Sequence, residues 1–441
     1  MKKIIKHTPK LDGENGWLGT ARDSKRDFSN PLKGDHQFDI VIIGAGFTGI
    51  STAIRLAENN PSLTIALVDA LRIGEGTSGR NAGFLSDIPH HLDATKYDKS
   101  EIALSTSLSA FALNKLRGYK NQYQIPEWED SGKYLSAREP EHTALLKGFI
   151  KTLEHAGFEY EWLSGNPLQK RLGTPYYRAS VYTKGAALVN PAALIRGLIA
   201  ALPKSITLFE NSPVSAIDYQ QPLHKVHFVG GSIRAEKVIL TINAYLSTFG
   251  IAGNRTLPVF TYASLTAPLS EAQISQYFPE VAPWGTTPAH HAGTTVRLTR
   301  DHRIFIRNSF DYCPNLQAEA VQREKAWQTH RHSLLARFPF LPDKDFQYTW
   351  GGMISLTRNQ APQFGEPYKN VYLISGCNGS GVVKGFYLGY YLADYISQID
   401  SEPLRFIFKS AKPNWLPRGP IRSIVTSYRI PKDTHAAKGD V

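Results

Sequence analysis

A glycine-rich turn between an apolar strand and an amphipathic helix constrains this chain more than any other feature of its sequence. Residues 38–43 are apolar and β-branched, which is typical of a buried parallel strand. Gly-Ala-Gly-Phe-Thr-Gly follows at residues 44–49, and apolar side chains then recur at helical spacing through residues 50–59. A second apolar run at residues 63–68 ends at Asp69. This order predicts a β-α-β unit at the start of a parallel sheet.

The turn has the residues that bind the pyrophosphate of an adenine dinucleotide. Gly44 allows the tight turn, Gly46 lets the backbone approach the phosphates, and Gly49 lets the helix pack on the strand. The helix N-terminus presents N–H groups and the positive end of its dipole to the phosphates. The carboxylate of Asp69 can accept hydrogen bonds from a ribose diol. The predicted cofactor contacts in this unit are Gly44, Gly46, Phe47, Thr48, Gly49 and Asp69.

The motif alone does not distinguish one dinucleotide from another, and the residues that follow it carry the distinction. A nicotinamide enzyme normally continues directly into a third strand. Here residues 74–84 form a long stretch rich in glycine and small side chains, which can run flat along a large planar ligand.

The sequence resembles the FAD-dependent oxidoreductases of the D-amino-acid oxidase superfamily, which includes glycine oxidase, sarcosine oxidase and γ-glutamylputrescine oxidase. Ser-Gly-Arg-Asn-Ala-Gly at residues 78–83 resembles a signature of the γ-glutamylputrescine oxidase-like branch. Further resembling segments follow in the family's order, at residues 185–192, 211–214, 238–245, 350–365 and 376–381.

The resemblance implies FAD and further cofactor-binding residues. Residues 78–83 and 379–384 are expected to border the flavin ring, Val214 the adenine, and Asn243 the turn after a flavin-domain strand. Gly352 stands where sarcosine oxidases carry a flavin-linking cysteine, so we expect the FAD to be non-covalent. The residues implied in this way are Ser78, Gly79, Arg80, Asn81, Ala82, Gly83, Val214, Asn243, Gly352, Gly379, Ser380, Gly381, Val382 and Val383. Arg80 could contact the flavin or its phosphates, or hold the loop through backbone carbonyls.

The predicted fold is α/β, α+β overall, with a Rossmann-like FAD-binding domain and a substrate domain on a mixed or antiparallel sheet. This is the glutathione-reductase type of flavoprotein fold. The FAD-binding domain is expected to be discontinuous, because the fingerprint and the last glycine turn lie at opposite ends of the chain. It is predicted at residues 38–90, 185–255 and 345–400, and the substrate domain at 91–184 and 256–344. Residues 1–37 are predicted as an arm packed on the surface, and 401–441 as a basic tail.

Candidate catalytic residues lie mainly in the predicted substrate domain. A guanidinium suits a substrate carboxylate, and alternation along a strand puts Arg303 and Arg307 on one face. Arg297 is a third candidate, and Tyr262 could form part of the pocket wall, as could Trp350. Lys384 is the nearest match to a lysine that promotes reaction with oxygen in some members of the resembling family. The structural alternatives are that the arginines lie on a solvated sheet face and that the aromatic residues belong to the hydrophobic core.

Metal and disulfide chemistry are not indicated. Adjacent histidines such as His90–His91 and His290–His291 point apart on a strand or helix, and neither pair has a convincing ligand pattern. Cys313 and Cys377 are too few for a disulfide framework and fit a reducing compartment, so a cytoplasmic location is expected. We expect no secretory signal and no membrane-spanning helix.

The preferred function is FAD-dependent oxidation of a C–N bond in an amino acid or amine. The resemblance implies hydride transfer to flavin N5 and an imine that hydrolyses to a carbonyl compound and ammonia or an amine. Oxygen or another molecule would accept the electrons. Two alternatives remain: a flavoprotein dehydrogenase subunit that needs a partner, and a tRNA-modifying flavoenzyme, which the net charge of +12 would suit. No stripe of aromatic and basic residues favours nucleic acid.

Overall fold

A computed structural model gives the fold of residues 2–10, 12–22, 28, 30–89, 97–251, 253–417 and 419–441. The α-helices are α1 (Gly16–Thr20), α2 (Phe47–Asn59), α3 (Lys99–Gln122), α4 (Thr143–Ala156), α5 (Gly165–Leu172), α6 (Pro191–Gly197), α7 (Glu271–Tyr277), α8 (Ala320–Arg337), α9 (Val383–Ile396), α10 (Glu402–Ser410) and α11 (Gly419–Ala436). Short 3₁₀ helices lie at Thr77–Gly79, Leu198–Ala201, Asn243–Phe249 and Lys438–Asp440.

The strands in chain order are β1 (Lys2–Ile4), β2 (Gly34–Ile43), β3 (Ile65–Val68), β4 (Phe84–Leu85), β5 (Trp128–Glu129), β6 (Lys133–Ala137), β7 (Glu161–Ser164), β8 (Ala179–Thr183), β9 (Ala187–Val189), β10 (Ile206–Phe209), β11 (Val214–Asp218), β12 (His224–Phe228), β13 (Gly231–Leu240), β14 (Leu257–Thr266), β15 (Trp284–Pro288), β16 (Thr295–Leu298), β17 (Ile304–Tyr312), β18 (Phe346–Leu356), β19 (Gln363–Tyr368) and β20 (Val371–Ser375). The mixed α/β architecture confirms the predicted fold class.

The first sheet contains the predicted β-α-β unit. Its strand order is β1-β11-β12-β13-β2-β3-β10, and β20 pairs with the second half of β13 and with β19. The strands β10, β3, β2, β13 and β20 run parallel, so their carboxyl ends meet at one edge. Gly44 follows β2, Asp69 follows β3, and the last glycine turn follows β20. Segments far apart in the chain are therefore brought to the same sheet edge.

Helices α2 and α9 cross closely on one face of this sheet because glycine lies at the contact. A Cβ on Gly389 would be 2.4 Å from the Thr48 carbonyl oxygen, so only glycine permits this approach. Ser51 Oγ donates to the Phe386 carbonyl at 2.7 Å, and Thr52 Oγ1 to the Gly389 carbonyl at 3.1 Å. These contacts fix the helix that follows the fingerprint against the helix that follows the last glycine turn.

The second large sheet has the order β18-β14-β17-β16-β15-β6-β8-β7. Its pairs are antiparallel except for β15 with β6. The strand β18 belongs to this sheet, although residues 345–400 were predicted in the FAD-binding domain. The reason is the complete pairing of β18 with β14, from Leu257 opposite Leu356 to Thr266 opposite Phe346.

The N-terminal segment is not the surface arm that its polar composition suggested. Trp17 is only 3% exposed and stacks on Phe305 of the second sheet, with ring centroids 5.1 Å apart. Asn15 accepts from the Trp17 amide as the cap of α1 and donates to the carbonyls of Gly74 and Gly79. This segment therefore fills the space between the two sheets.

The C-terminal residues are also part of the fold. Arg337 in α8 and Asp440 form an ion pair at 2.7 Å, and both side chains are almost wholly buried. The Asp440 carbonyl accepts hydrogen bonds from both the amide and the hydroxyl of Thr294. Residues 401–441 thus end against α8 and the second large sheet, so this region is more than a basic tail.

Candidate active site

A long cavity opens at the carboxyl edge of the parallel sheet and runs to the second sheet. One end is lined by His7–Lys10, Ser212 and Val214, and its middle by the turn after β2 and by the start of α2. The other end is lined by Gly352 and Met353 of β18, by Cys377, Gly379 and Gly381, and by Lys384. A ligand filling this cavity would extend along the whole edge of the sheet.

The turn after β2 leaves no room for side chains. Gly44 has a φ of +104°, and a Cβ there would be 2.8 Å from the Thr241 carbonyl oxygen. A Cβ on Gly49 would be 1.9 Å from the Gly44 oxygen, which explains the close packing of α2 on β2. Gly46 has ordinary extended backbone angles, so its missing side chain matters for space alone. A Cβ there would be 2.5 Å from Ser78 Oγ, and the residue lines the cavity.

Asp69 places a carboxylate at the end of β3. One oxygen accepts from the Ala45 amide at 2.9 Å and the other from the Leu71 amide at 2.9 Å. Burial is the main cause that raises its pKa to about 6, and the nearby carboxylates of Glu210 and Glu75 add to the effect. Hydrogen-bond donors from a ligand would favour the ionised form.

Arg80 holds the glycine-rich loop through backbone carbonyls. Its guanidinium donates to the carbonyls of Glu75, Asp12, Gly351 and Gly13, at 2.6 to 3.1 Å. These bonds join the loop to the N-terminal segment and to β18. Of the two roles considered for Arg80, the structure therefore shows the loop-holding contacts, while the side chain also borders the cavity.

Lys384 lies in the first turn of α9 and lines the far end of the cavity. Its Nζ donates to the Gln360 carbonyl at 3.1 Å. Burial lowers its pKa to about 8, so the ammonium loses its proton more easily than a surface lysine. Asn243 is close by, with its side-chain amide donating to Cys377 Sγ at 3.3 Å.

The second sheet places one cation near this end of the cavity without an acidic partner. Cross-strand pairing puts Arg307 beside Ala263, which in turn pairs with Trp350. Gly352, on the cavity wall, lies on the same face of β18 as Trp350 and two residues further along the strand. Arg307 is thus two strands from the wall, roughly 10 Å in the direction across the strands, and two residues from it, roughly 7 Å in the direction along them. The length of an arginine side chain can cover much of that distance.

Arg307 makes no hydrogen bond or ion pair within the described part of the chain. Its guanidinium lies 4.9 Å from the centroid of the Phe310 ring. Desolvation alone lowers its pKa to about 10, so the side chain remains charged at neutral pH. A desolvated guanidinium without a counter-charge favours an anionic ligand.

A family model described as FAD dependent oxidoreductase (DAO) matches residues 39–395. The chain belongs to this FAD-dependent oxidoreductase family. The match confirms FAD as the cofactor and an oxidoreductase as the class of enzyme.

Individual relatives are more distant. The chain is 25% identical over 381 residues to "Probable oxidoreductase OrdL" of Haemophilus influenzae, covering 83% of this chain and 84% of that one. It is 25% identical over 365 residues to "Gamma-glutamylputrescine oxidoreductase" of Escherichia coli, covering 81% and 83%. The glycine oxidase structure from Geobacillus kaustophilus has a TM-score of 0.68 at 17% identity, covering 83% of this chain and 96% of that chain. This structural likeness supports the fold.

The residues that line the cavity of this DAO-family chain fit FAD. The Asp69 carboxylate suits ribose hydroxyls, and the side-chain-free turn at Gly44 and Gly46 suits the pyrophosphate. The predicted cofactor residues on the cavity wall are Gly44, Gly46, Phe47, Thr48, Asp69, Ser78, Arg80, Asn81, Val214, Asn243, Gly352, Gly379 and Gly381. Their contacts with FAD remain predictions.

The other predicted cofactor residues lie behind the wall. A Cβ on Gly79 or Gly83 would clash with the carbonyl oxygens of Gly74 or Val189, so these glycines serve close packing of the loop. Val382 and Val383 are buried in the core between the parallel sheet and its helices. The residues outside the wall are Gly49, Gly79, Ala82, Gly83, Ser380, Val382 and Val383.

Two of the predicted catalytic residues, Arg297 and Tyr262, do not line the cavity of this DAO-family structure. Arg297 donates to the carbonyls of Ala82 and Val189, both at 2.8 Å, so its guanidinium is engaged in holding the loop. Tyr262 is fully buried and packs with Phe260 and Met353, so it does not line the cavity. The role of Tyr262 in the pocket wall stays a prediction, while Phe260 of the same strand lines the cavity.

Several cavity residues escaped the sequence analysis. Residues His7–Lys10 line the cavity but have no periodicity or motif that could have revealed them. Tyr245 belongs to the resembling segment at 238–245, which could have suggested its place. Met353 belongs to the resembling segment at 350–365, whereas Phe260 reaches the cavity through the pairing of β14 with β18, which no local pattern encodes.

The histidine pairs provide no metal site in the described residues. The rings of His290 and His291 are tilted by 33° with their centroids 4.5 Å apart, and His291 contacts Asp433 at 3.3 Å. No group of three or more potential ligands able to hold a metal ion occurs in the described parts of the chain. The pair His90–His91 lies outside them. None of the helices among the described residues is long and apolar enough to cross a bilayer.

Proposed function

We propose that this DAO-family enzyme oxidises a C–N bond in an amine or amino acid that carries an anionic group. The observation that carries the proposal is Arg307, a desolvated cation that has no counter-charge among the described residues and lies near the end of the cavity formed by Gly352 and Lys384. The names of relatives and structural neighbours support it, since they include a γ-glutamylputrescine oxidoreductase and glycine oxidases.

Each part of the site has a distinct task in this proposal. Bound FAD supplies the hydride-accepting chemistry. Arg307 binds the substrate anion and so orients the C–N bond towards the cavity wall at Gly352. Burial among the apolar side chains of Phe260 and Met353 keeps water away from that position. The substrate leaves as an imine, which hydrolyses to a carbonyl compound and ammonia or an amine. Oxygen or another acceptor then takes the electrons.

The test is anaerobic flavin reduction by substrate pairs that differ only in the carboxylate. Suitable pairs are glycine with methylamine, sarcosine with dimethylamine, and proline with pyrrolidine, tested alongside diamines and their acylated derivatives. We expect bleaching of the flavin absorbance by members that carry the anion and much slower bleaching by their partners. Equal rates within every reactive pair would contradict the role of Arg307. Failure of all amines and amino acids to reduce the flavin would contradict C–N oxidation itself.

A further inference from the structure

The C-terminal helix α11 carries an apolar stripe on the side that faces away from the protein. Ile421, Ile424, Val425 and Tyr428 follow the i, i+3, i+4, i+7 spacing of one helix face and are 62%, 70%, 56% and 70% exposed. Thr426 lies on the opposite face and is buried. Large exposed apolar side chains are rarely clustered in this way on a protein surface unless something covers them.

The inner face of α11 is held firmly, so the stripe has a fixed orientation. Arg422 donates to the Tyr312 hydroxyl at 3.0 Å, and the Ala436 carbonyl contacts His142 Nε2 at 3.1 Å. Beyond the helix, Asp440 enters the buried pair with Arg337. The four apolar side chains therefore cannot turn inward without breaking these contacts.

The charge around the stripe is mainly positive, with Asp433 as the acidic residue of α11, paired with Arg429 at 3.3 Å. Residues 403–432 contain seven Lys or Arg residues and no Asp or Glu. They are Arg405, Lys409, Lys412, Arg418, Arg422, Arg429 and Lys432. Trp415, in the segment before the helix, is 55% exposed. Basic residues beside an apolar helix face, with an aromatic side chain near its start, are the features of helices that lie in a lipid interface.

We infer that the outward face of α11 docks on the surface of an anionic lipid bilayer. The stripe would enter the boundary between headgroups and acyl chains, and the basic residues would contact the anionic headgroups. A second copy of the chain is a poorer occupant, because a two-fold pairing of this face would bring Arg429 and Lys432 against the basic residues of the other copy. The inference adds an interaction surface to the enzyme and does not depend on its substrate.

Vesicle co-sedimentation of the full-length, FAD-loaded protein tests this surface. The vesicles are phosphatidylcholine alone, or phosphatidylcholine with about 30% phosphatidylglycerol. We expect binding to the anionic vesicles and little to the neutral ones. Ile424→Asp with Tyr428→Asp should lower the bound fraction by about tenfold or more. Arg429→Glu with Lys432→Glu should also weaken binding and reduce its sensitivity to salt.

Matched controls separate docking from misfolding. Val229 is 90% exposed in the turn between β12 and β13, so Val229→Asp adds one charge at a distant surface and should leave vesicle binding unchanged. All variants should keep the flavin-to-protein absorbance ratio of the parent. Equal sedimentation of the parent and the Ile424→Asp, Tyr428→Asp variant would overturn the inference. Absence of vesicle binding together with a dimer that this variant dissociates in light scattering would also overturn it, in favour of self-association.

Discussion

The two walls of the cavity are built by different means. The wall from the parallel sheet consists largely of backbone and glycine, and its central part is contained in residues 44–49. The wall from the second sheet is formed by Phe260 of β14 and by residues 351–354 of β18, which the pairing of these two strands brings together. In the proposed function, the cofactor contacts are therefore encoded locally, whereas the substrate contacts depend on pairing between distant segments. Variants in the two walls should therefore fail in different ways.

The largest effect should come from adding a side chain to the local wall. Gly46→Val would put its Cβ 2.5 Å from Ser78 Oγ and its methyl groups in the pyrophosphate position. We expect purification of this variant without FAD, while circular dichroism shows a folded chain, since the backbone angles of Gly46 suit any residue. The matched control is Gly148→Val in α4, where a Cβ meets nothing within 4 Å. Retention of FAD by the Gly46 variant would show that the phosphates lie elsewhere.

A change in the second sheet, at Arg307, should spare cofactor binding and impair substrate turnover. We expect Arg307→Met to keep its FAD but to lose kcat/KM for carboxylate-bearing substrates by about 10- to 150-fold, the cost of one charge-assisted anion contact. Rates with substrates that lack the anion should change little. A useful control is Arg405→Met, because Arg405 lies on the surface in a pair with Asp400. A uniform loss for all substrates would point to a structural role for Arg307.

The same contrast explains how much the sequence could predict. Helices α2 and α9 and strands β2, β3 and β20 follow from local periodicity and from the glycine turns between them. The carboxyl-edge placement of Gly44, Asp69 and Gly379 follows from parallel topology alone. The pairing of β18 with β14, by contrast, does not follow from local pattern, because it joins distant segments and the glycine pair of β18 resembles a flavin-domain block.

Side-chain partners were harder to predict than elements. Arg297 and Arg307 are the same residue type on neighbouring strands. Arg297 donates to the carbonyls of Ala82 and Val189, whereas Arg307 has no hydrogen-bond or ion-pair partner in the described chain. The carbonyls near Arg297 come from distant segments, which the local sequence does not reveal. Trp17 was assigned to a surface arm because its neighbours are polar, although the space between the sheets needs a large ring.

A third expected effect concerns the stability of the second sheet. Asp440→Ala would leave Arg337 charged and fully buried, which should cost about 3–5 kcal/mol of unfolding free energy. Asp400→Ala removes an ion pair of the same type in which both partners are more than 60% exposed, and it should have little measurable effect. Chemical denaturation with FAD present compares the two. Similar small losses would mean that Arg337 finds water or another acceptor when Asp440 is removed.

The smallest expected effect is the pH dependence of FAD binding through Asp69, which belongs to the wall formed by the parallel sheet. Burial raises the pKa of Asp69 to about 6 in the cofactor-free chain, so the carboxyl is largely protonated below that value. Because its native pKa lies above the unfolded value, Asp69 favours the folded apo chain at low pH, and this contribution is lost as pH rises from about 4 to 6. Ribose hydroxyls that donate to Asp69 need the ionised form, so FAD binding must release this proton at low pH.

FAD affinity should therefore fall by up to about tenfold per pH unit below pH 6 and be nearly constant between pH 7 and 8. Asp69→Asn keeps the shape of the side chain but cannot ionise. It should bind FAD more weakly than the parent at pH 8 and show a flatter profile between pH 5 and 7. Quenching of FAD fluorescence on titration into apoprotein measures both curves. Parallel curves for the parent and the variant would place the titrating group elsewhere, and equal affinity at pH 8 would remove Asp69 from the cofactor contacts.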